Sequence, residues 1–266
     1  MRAQCRGKGS PVWRIQLAPG PSGEIVLSAQ GLGELITLLG EAEADAGCRV
    51  LVLEGQGGTF CRGMDLSALC ADPARHIALG ARQFTECLVA LHGSSKLVLC
   101  LVDGAALAGG VGLVAAADLV LCTRGSTFGL PEVVLGLVPA MVMPLLLERM
   151  SPHKARAFAL AGTSIDADAA LGIGLVDRVV DSTAELEPAL RVALRSALRQ
   201  HPAAVARLKR MTRQMIDRPW DEAIGLGAEH TVEVLSEPES IRSISAYLAG
   251  EPLPWFARYR PAGGCP

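Results

Sequence analysis

The stretch Lys96-Leu97-Val98-Leu99-Cys100-Leu101-Val102-Asp103-Gly104-Ala105-Ala106-Leu107-Ala108-Gly109-Gly110-Val111-Gly112-Leu113, running on to Asp118, decides how the rest of the chain is read. Its continuous apolar run, bounded by a glycine loop and followed by small residues at helical spacing, reads as a buried strand, a tight turn and the start of a packed helix. Gly109 and Gly110 fall where that helix begins. The first N–H groups of a helix have no intrahelical acceptor, and glycine lets another molecule come close to them. Two readings stand for this turn: it holds an anion or polarises a carbonyl, or its glycines only let strand and helix pack tightly.

A second stretch has the same build. Arg49-Val50-Leu51-Val52-Leu53-Glu54 is a buried-type strand running into the loop from Gly55 to Asp65. Two strand-loop-helix units of this kind can each aim one N–H, from Met64 and from Gly109, at a single carbonyl oxygen between the helix starts. That pair would form an oxyanion hole.

The chain has 266 residues, enough for a layered α/β core with a helical appendage. Half of it is hydrophobic while aromatics make up 4%, which favours close backbone packing over large side-chain plugs. A net charge of −2, with no basic patch interleaved with aromatics, argues against a nucleic-acid partner. The eight cysteines, Cys5, Cys48, Cys61, Cys70, Cys87, Cys100, Cys122 and Cys265, lie mostly in apolar runs without a C-x-x-C pair. They read as buried thiols, with neither a disulfide framework nor metal-ligand spacing. The basic N-terminus lacks the apolar segment of an export signal and no apolar run is long enough to cross a bilayer, so a soluble cytoplasmic protein is expected, with no membrane partner.

Val12 to Leu17 alternates as a first strand, and Leu32, Leu35, Ile36, Leu39 and Ala42 recur as an amphipathic helix. A helical turn from Leu66 to Cys70 and a longer helix through Ile77, Phe84, Leu88 and Leu91 lead to the Lys96 strand. Leu119 to Cys122 and Val176 to Val180 read as further strands, and between them come helical patterns at Met141–Met150, Ser151–Leu160 and Asp166–Leu171. From Thr183 onward the pattern is helical, with segments 183–199, 202–215, 219–235 and 238–248. A boundary near His201 is expected, with residues 1–200 as the core and 201–266 as a helical tail.

Taken together, the motifs in residues 49–66, 104–113, 127–139, 161–163 and 169–177, with Asp118 between them, resemble the enoyl-CoA hydratase/isomerase, or crotonase, superfamily. The resemblance implies an α/β spiral of ββα repeats with a C-terminal helical region that mediates trimerisation, in a homotrimer or homohexamer. It also implies a shared chemistry, an enolate of an acyl thioester held by two backbone N–H groups, and these fall on Met64 and Gly109. No resident cofactor is implied, because the acyl group arrives on the phosphopantetheine of coenzyme A or of an acyl carrier protein.

Hydratases of that family usually carry two glutamates. Here the first position is Gly112 and the second is Glu132, the one charge in the apolar stretch from Thr127 to Pro139. A carboxylate in such a run has its pKa raised if it is buried, which suits a group that both takes and gives a proton. The plain alternative is a surface glutamate on a loop. Asp65 is either the second carboxylate or the N-cap of the helix after it. Arg62 and Gly110 are expected to contact substrate, Arg62 through a carboxylate or phosphate or else solvated. Cys61 and Arg82 are further candidates for the wall. His230 reads as packed or solvated on a tail helix, Ser67 and Ser126 lack a histidine partner, and Arg207, Lys209, Arg210 and Arg213 read as a solvated helix face.

Within the superfamily, the segments Phe60–Asp65, Ala108–Gly112 and Leu130–Ala140 look most like the dehydratases of polyketide β-branching cassettes. Those enzymes remove water from a 3-hydroxy-3-methylglutaryl group on an acyl carrier protein to give a 3-methylglutaconyl thioester. Two alternatives stand beside this one: an enoyl-CoA Δ3,Δ2-isomerase or other enoyl-CoA hydratase, and a non-catalytic crotonase fold that binds an acyl chain.

Overall fold

The computed structural model describes residues 1–258, with residues 75 and 76 as backbone alone. Cys265 lies outside the described residues. The strands in chain order are β1 (Arg2–Arg6), β2 (Val12–Ala18), β3 (Val50–Gly55), β4 (Thr59–Cys61), β5 (Leu97–Val102), β6 (Ala105–Leu107), β7 (Leu119–Thr123), β8 (Thr127–Gly129), β9 (Ser164–Asp166) and β10 (Arg178–Val180). The helices are α1 (Ala29–Ala44), α2 (Leu66–Ala71), α3 (Pro73–Gly93), α4 (Gly109–Ala115), α5 (Met143–Arg149), α6 (Pro152–Ala161), α7 (Ala167–Ile173), α8 (Thr183–Ala197), α9 (Pro202–Met215), α10 (Trp220–Leu235) and α11 (Pro238–Leu248).

The long strands, with the three-residue β10 at one edge, form one sheet in the order β1-β2-β3-β5-β7-β10, parallel except for the β1–β2 hairpin. The short strands form a second sheet, β4-β6-β8-β9, parallel except for β9. The chain therefore alternates: β3 then β4, β5 then β6, β7 then β8, each pair followed by helix. This is the expected spiral of ββα turns.

Alternation along the long strands explains why their sequences are continuously apolar. Leu51 and Leu53 of β3, with Val98, Cys100 and Val102 of β5, pack into the core shared with α1, α3 and α4. Val50, Val52, Leu99 and Leu101 face the other way, onto Leu186, Leu190 and Leu194 of α8. A strand buried on both faces has no polar side to show. Each fully buried leucine or valine contributes about 1.5 to 3 kcal/mol relative to exposure, so the two faces together hold the sheet between its helix layers.

The short strands escape the sequence pattern, since three residues are too few to display a period, and β1 lies in a stretch read only as basic. The turn after Ser22 leads to no strand; Leu27 makes an isolated parallel bridge to Met64. The helices follow the pattern closely, with Ser28, Ser151 and Asp166 capping α1, α6 and α7 through their side-chain oxygens. Five of the described cysteines are buried as expected, while Cys5 is partly covered and Cys70 exposed.

Two aspartates lock successive turns of the spiral. Asp118 donates its N–H to Val98 O (2.9 Å) and accepts the Val98 N–H on Oδ2 (2.7 Å). Asp177 does the same with Val120, at 3.0 and 2.7 Å. Each carboxylate is also met by a cation: Arg149 reaches Asp177 as well as Leu175 O and Ala117 O, and Lys209 Nζ reaches Asp118 at 2.6 Å and Lys96 O at 2.9 Å.

The second cation corrects the solvated-face reading for Lys209, Arg213 and Arg207, whereas Arg210 is exposed as expected. Lys209 is largely buried against the core, Arg213 donates to His92 O, and Arg207 grips Glu237 at the N-cap of α11. Burial pulls the Lys209 ammonium below the usual lysine value, and Asp118 pushes it back up. Helix α9 is thus tied to the start of β5 by charge-assisted bonds, although no residue of α9, α10 or α11 is fully buried. Lys209→Met should lower unfolding stability by about 2 kcal/mol in urea titrations, the scale of a lost hydrogen bond to a charged group.

Candidate active site

The C-terminal ends of three adjacent parallel strands of the small sheet carry the expected site residues. β4 leads to Met64, β6 leads to Gly109, and β8 leads to Glu132. Neighbouring strands lie about 4.8 Å apart, so the three ends fan across roughly 10 Å, the width of a small acyl group.

The first loop is pinned by a short ladder. Arg62 N–H donates to Ile25 O (2.9 Å), Leu27 N–H to Gly63 O (2.7 Å) and Asp65 N–H to Leu27 O (3.4 Å). None of these bonds uses the Met64 N–H. Gly63 takes a φ of +87°, which a residue with a side chain would resist, and this bend turns the chain between the two bonded residues.

The second loop is equally held. Ala108 N–H donates to Gly129 O (2.8 Å), which fixes the turn to the end of β8, and Val111 N–H closes onto Ala108 O (2.9 Å). Gly109 begins α4, where its N–H has no intrahelical acceptor. A Cβ on Gly110 would come within 2.3 Å of Cys61 O, so only glycine lets α4 seat on the end of β4. The two turns touch: a Cβ on Gly63 would lie 3.3 Å from the Gly109 nitrogen. Structure thus brings the Met64 and Gly109 turns together, with Leu27 packed beneath both.

Glu132 sits in a single 3-10 turn, Pro131–Leu135, opened by Pro131 and closed by the left-handed Gly136. Its Oε2 is shielded from solvent and accepts no hydrogen bond. Burial pushes the carboxyl above its ordinary value, opposed only by its own backbone N–H. The following residues form an apolar collar that stands open in the single chain, with Val134 72% and Val138 73% exposed, beside Leu135, Leu137 and Met141.

The Gly112 position cannot supply a second carboxylate. A Cβ there would lie 3.1 Å from both Phe84 Cζ and Val142 Cγ2, with Leu88 behind, so the place is closed by apolar atoms. Asp65 takes the capping role: its Oδ1 accepts the Ala68 N–H at 3.0 Å at the head of α2. It also lines a cavity of 230 Å³ with Leu27, Ser28, Met64, Ala68 and Gly80. Arg62 is exposed, and its nearest carboxylate is Glu24 at 3.8 Å. Cys61 is fully buried with its thiol pushed up to about 11 by desolvation, which removes it as a nucleophile at neutral pH.

Other residues singled out in the sequence lie apart from this place. Ser126 is buried in a structural network, bonded to Val102 O, Gly104 N–H and Thr123. His230 faces Glu233 at 3.4 Å on the tail and lines a cleft between α9 and α10. A cavity of 190 Å³ lined by Cys48, Arg49 and Lys96 opens at the opposite end of the long strands. Among the described residues no group of three or more His, Cys, Asp or Glu is placed to hold a metal ion, and no helix is long and apolar enough to cross a membrane.

Residues 12–257 match the family model described as enoyl-CoA hydratase/isomerase. The chain belongs to that family. The carnitinyl-CoA dehydratase of Citrobacter koseri is 31% identical over 220 residues, 80% of this chain and 84% of that protein. Among solved structures, Pseudomonas aeruginosa AtuE superposes with a TM-score of 0.88 at 28% identity, covering 97% of this chain and all of that one. An enoyl-CoA hydratase/isomerase from Marinobacter aquaeolei gives 0.85 at 28%, covering 96% and 99%. The fold is therefore the crotonase fold of that family, and the protein is a hydratase-like enzyme of the lyase class.

The position of Glu132 has a consequence for stability. Its folded-state pKa lies above the unfolded value of 4.5, so above both values folding works against an ionised carboxylate, and below 4.5 that penalty is gone. Glu132→Gln should accordingly be more stable than the unmodified protein at pH 8 in chemical denaturation. The difference should shrink as the pH falls toward 4.5.

Proposed function

We propose that the enzyme removes water from a 3-hydroxy-3-methylglutaryl thioester carried on the phosphopantetheine of an acyl carrier protein, leaving a 3-methylglutaconyl thioester. The observation that carries the chemistry is the unpartnered, shielded Oε2 of Glu132 at the end of the strand next to the two N–H donors. In this reading Glu132 takes a C2 proton and the electron pair moves into an enolate. Met64 and Gly109 hold its oxygen, a donor of this kind contributing roughly 3 to 4 kcal/mol. The enolate then expels the C3 hydroxyl, which leaves as water after receiving a proton from Glu132 or Asp65, and the C2–C3 double bond forms.

The dehydratase relatives support the direction of the reaction, and the motif resemblance in Phe60–Asp65 and Leu130–Ala140 supports the branched substrate. Arg62, exposed at the loop beside Met64 with only a distant carboxylate partner, is the group assigned to the free carboxylate of the glutaryl chain. The cavity beside Met64 is assigned to the pantetheine arm, and coenzyme A is the alternative carrier. Gly110 contributes by letting α4 seat against Cys61, which holds the Gly109 turn in place. One observation favours a second reading: with Gly112 closed by apolar atoms, a single glutamate is also what a Δ3,Δ2-isomerase needs to shuttle one proton.

Mass spectrometry of the pantetheine-bound acyl group separates the two, dehydration appearing as the loss of one water. Glu132→Gln should slow that loss by about 10² to 10⁴, the usual contribution of one positioned acid or base, with carrier binding retained. Asp65→Asn should be comparably slow if Asp65 delivers the second proton, and near normal if it only caps α2. Isomerisation of a 3-enoyl-CoA without any dehydration would select the second reading.

The tail supports a homotrimer or homohexamer. Trp220 (79% exposed), Ile224, Val232, Ile241, Tyr247 and Leu248 (78%) leave large apolar side chains open on α10 and α11, the kind of surface that subunit contacts cover. Light scattering at micromolar concentration should give three or six times the chain mass; a monodisperse monomer would refute the assembly.

A further inference from the structure

Ala108 stands at φ +50° and ψ −122°, immediately before the Gly109 donor. Among the described residues, only Asp217 shares a positive φ without being glycine. An L side chain takes this conformation only when its surroundings impose it, and such residues gather where local geometry must be held. Glycine would adopt it freely, so the methyl group at 108 is carried against the preference of the backbone.

The contact made by that methyl group accounts for its presence. A Cβ built on Gly63 would lie 2.7 Å from the Ala108 Cβ, so the methyl rests on the bare backbone of Gly63. Gly63 directly precedes Met64, as Ala108 directly precedes Gly109. The residue before each donor touches the residue before the other. Both ends of the contact are anchored, Gly63 O by the Leu27 N–H at 2.7 Å and Ala108 N–H by Gly129 O at 2.8 Å. The ψ angle of residue 108 sets the plane of the next peptide, which carries the Gly109 N–H.

We infer that Ala108 is a positioning residue of the oxyanion site, its methyl group acting as the spacer that fixes the separation and direction of the Met64 and Gly109 N–H groups. The inference rests on the oxyanion role given to those two donors above. Without the methyl group the 108–109 peptide is held only through the Val111 N–H on Ala108 O and has room to tilt about that bond, and a hydrogen bond weakens steeply once its angle falls below about 120°.

The test uses butyryl-CoA labelled with ¹³C at the thioester carbonyl, which has no 3-hydroxyl to lose and therefore isolates enolate formation from dehydration. The unmodified protein should shift the bound carbonyl band to lower frequency in infrared difference spectra and exchange the C2 protons in D₂O. Ala108→Gly should keep its melting temperature and bind the thioester within about 2-fold, yet lose part of the band shift and exchange about 10-fold more slowly, a fraction of the 10² to 10³ that deleting a donor costs. Ala108→Ser, which keeps a Cβ, should restore both signals. Full shift and full exchange in Ala108→Gly would overturn the spacer role and leave the oxyanion hole standing. Slow exchange in both variants with lowered melting temperatures would show a merely structural role and overturn it too. No band shift with the unmodified protein would overturn the oxyanion reading and this inference together.

Discussion

The Met64 and Gly109 turns leave different strands yet touch and are each pinned by backbone hydrogen bonds, and the fold is arranged around that contact. The small sheet places β4, β6 and β8 side by side, so that Met64, Gly109 and Glu132 follow three neighbouring strand ends. The large sheet, buried on both faces, gives the small one a rigid backing. Seating α4 on Cys61 O then leaves no slack between the first two strand ends.

The distribution of carboxylates sharpens the role of Glu132. Asp118 and Asp177 each accept a strand N–H and face a cation, Asp65 and Asp166 each cap a helix, and Glu43 accepts the Ser94 hydroxyl and the Ser95 N–H. Their acceptor capacity is used in holding the chain together. The Oε2 of Glu132 is shielded from water and bonded to nothing, an arrangement that costs stability. An acceptor left idle in this way suits the proton transfer proposed for it.

What the sequence revealed depended on length and on distance. β3, β5 and β7 declare themselves because burial on both faces writes a continuous apolar run, and the capped helices because Ser and Asp stand at their starts. The three-residue strands that position the site are too short to show a period, so Met64 and Gly109 were legible only through their loops and the family pattern. Glu132 was conspicuous as a charge among apolar residues, but its idle oxygen and the closed space at Gly112 belong to packing. Lys209 was misread because its partners, Lys96 and Asp118, are far away in the chain, and a polar face on a helix looks the same whether it meets water or a distant carboxylate. Ala108 ran opposite to propensity, since nothing about an alanine announces a positive φ.

The twin aspartate clamps also impose an order on how the chain can come together. The clamp at Asp118 closes 20 residues back onto Val98, the one at Asp177 closes 57 residues back onto Val120, and Lys209 reaches Asp118 across 91. Loop-closure entropy grows with these separations, so the earliest clamp is the least costly to form and each later one needs a strand that the previous turn has already set. On a ribosome both residues of the first clamp are made before Asp177 of the second. The spiral can therefore wind outward from β5 as the chain emerges, with α9 arriving last to bolt down a turn that is already in place.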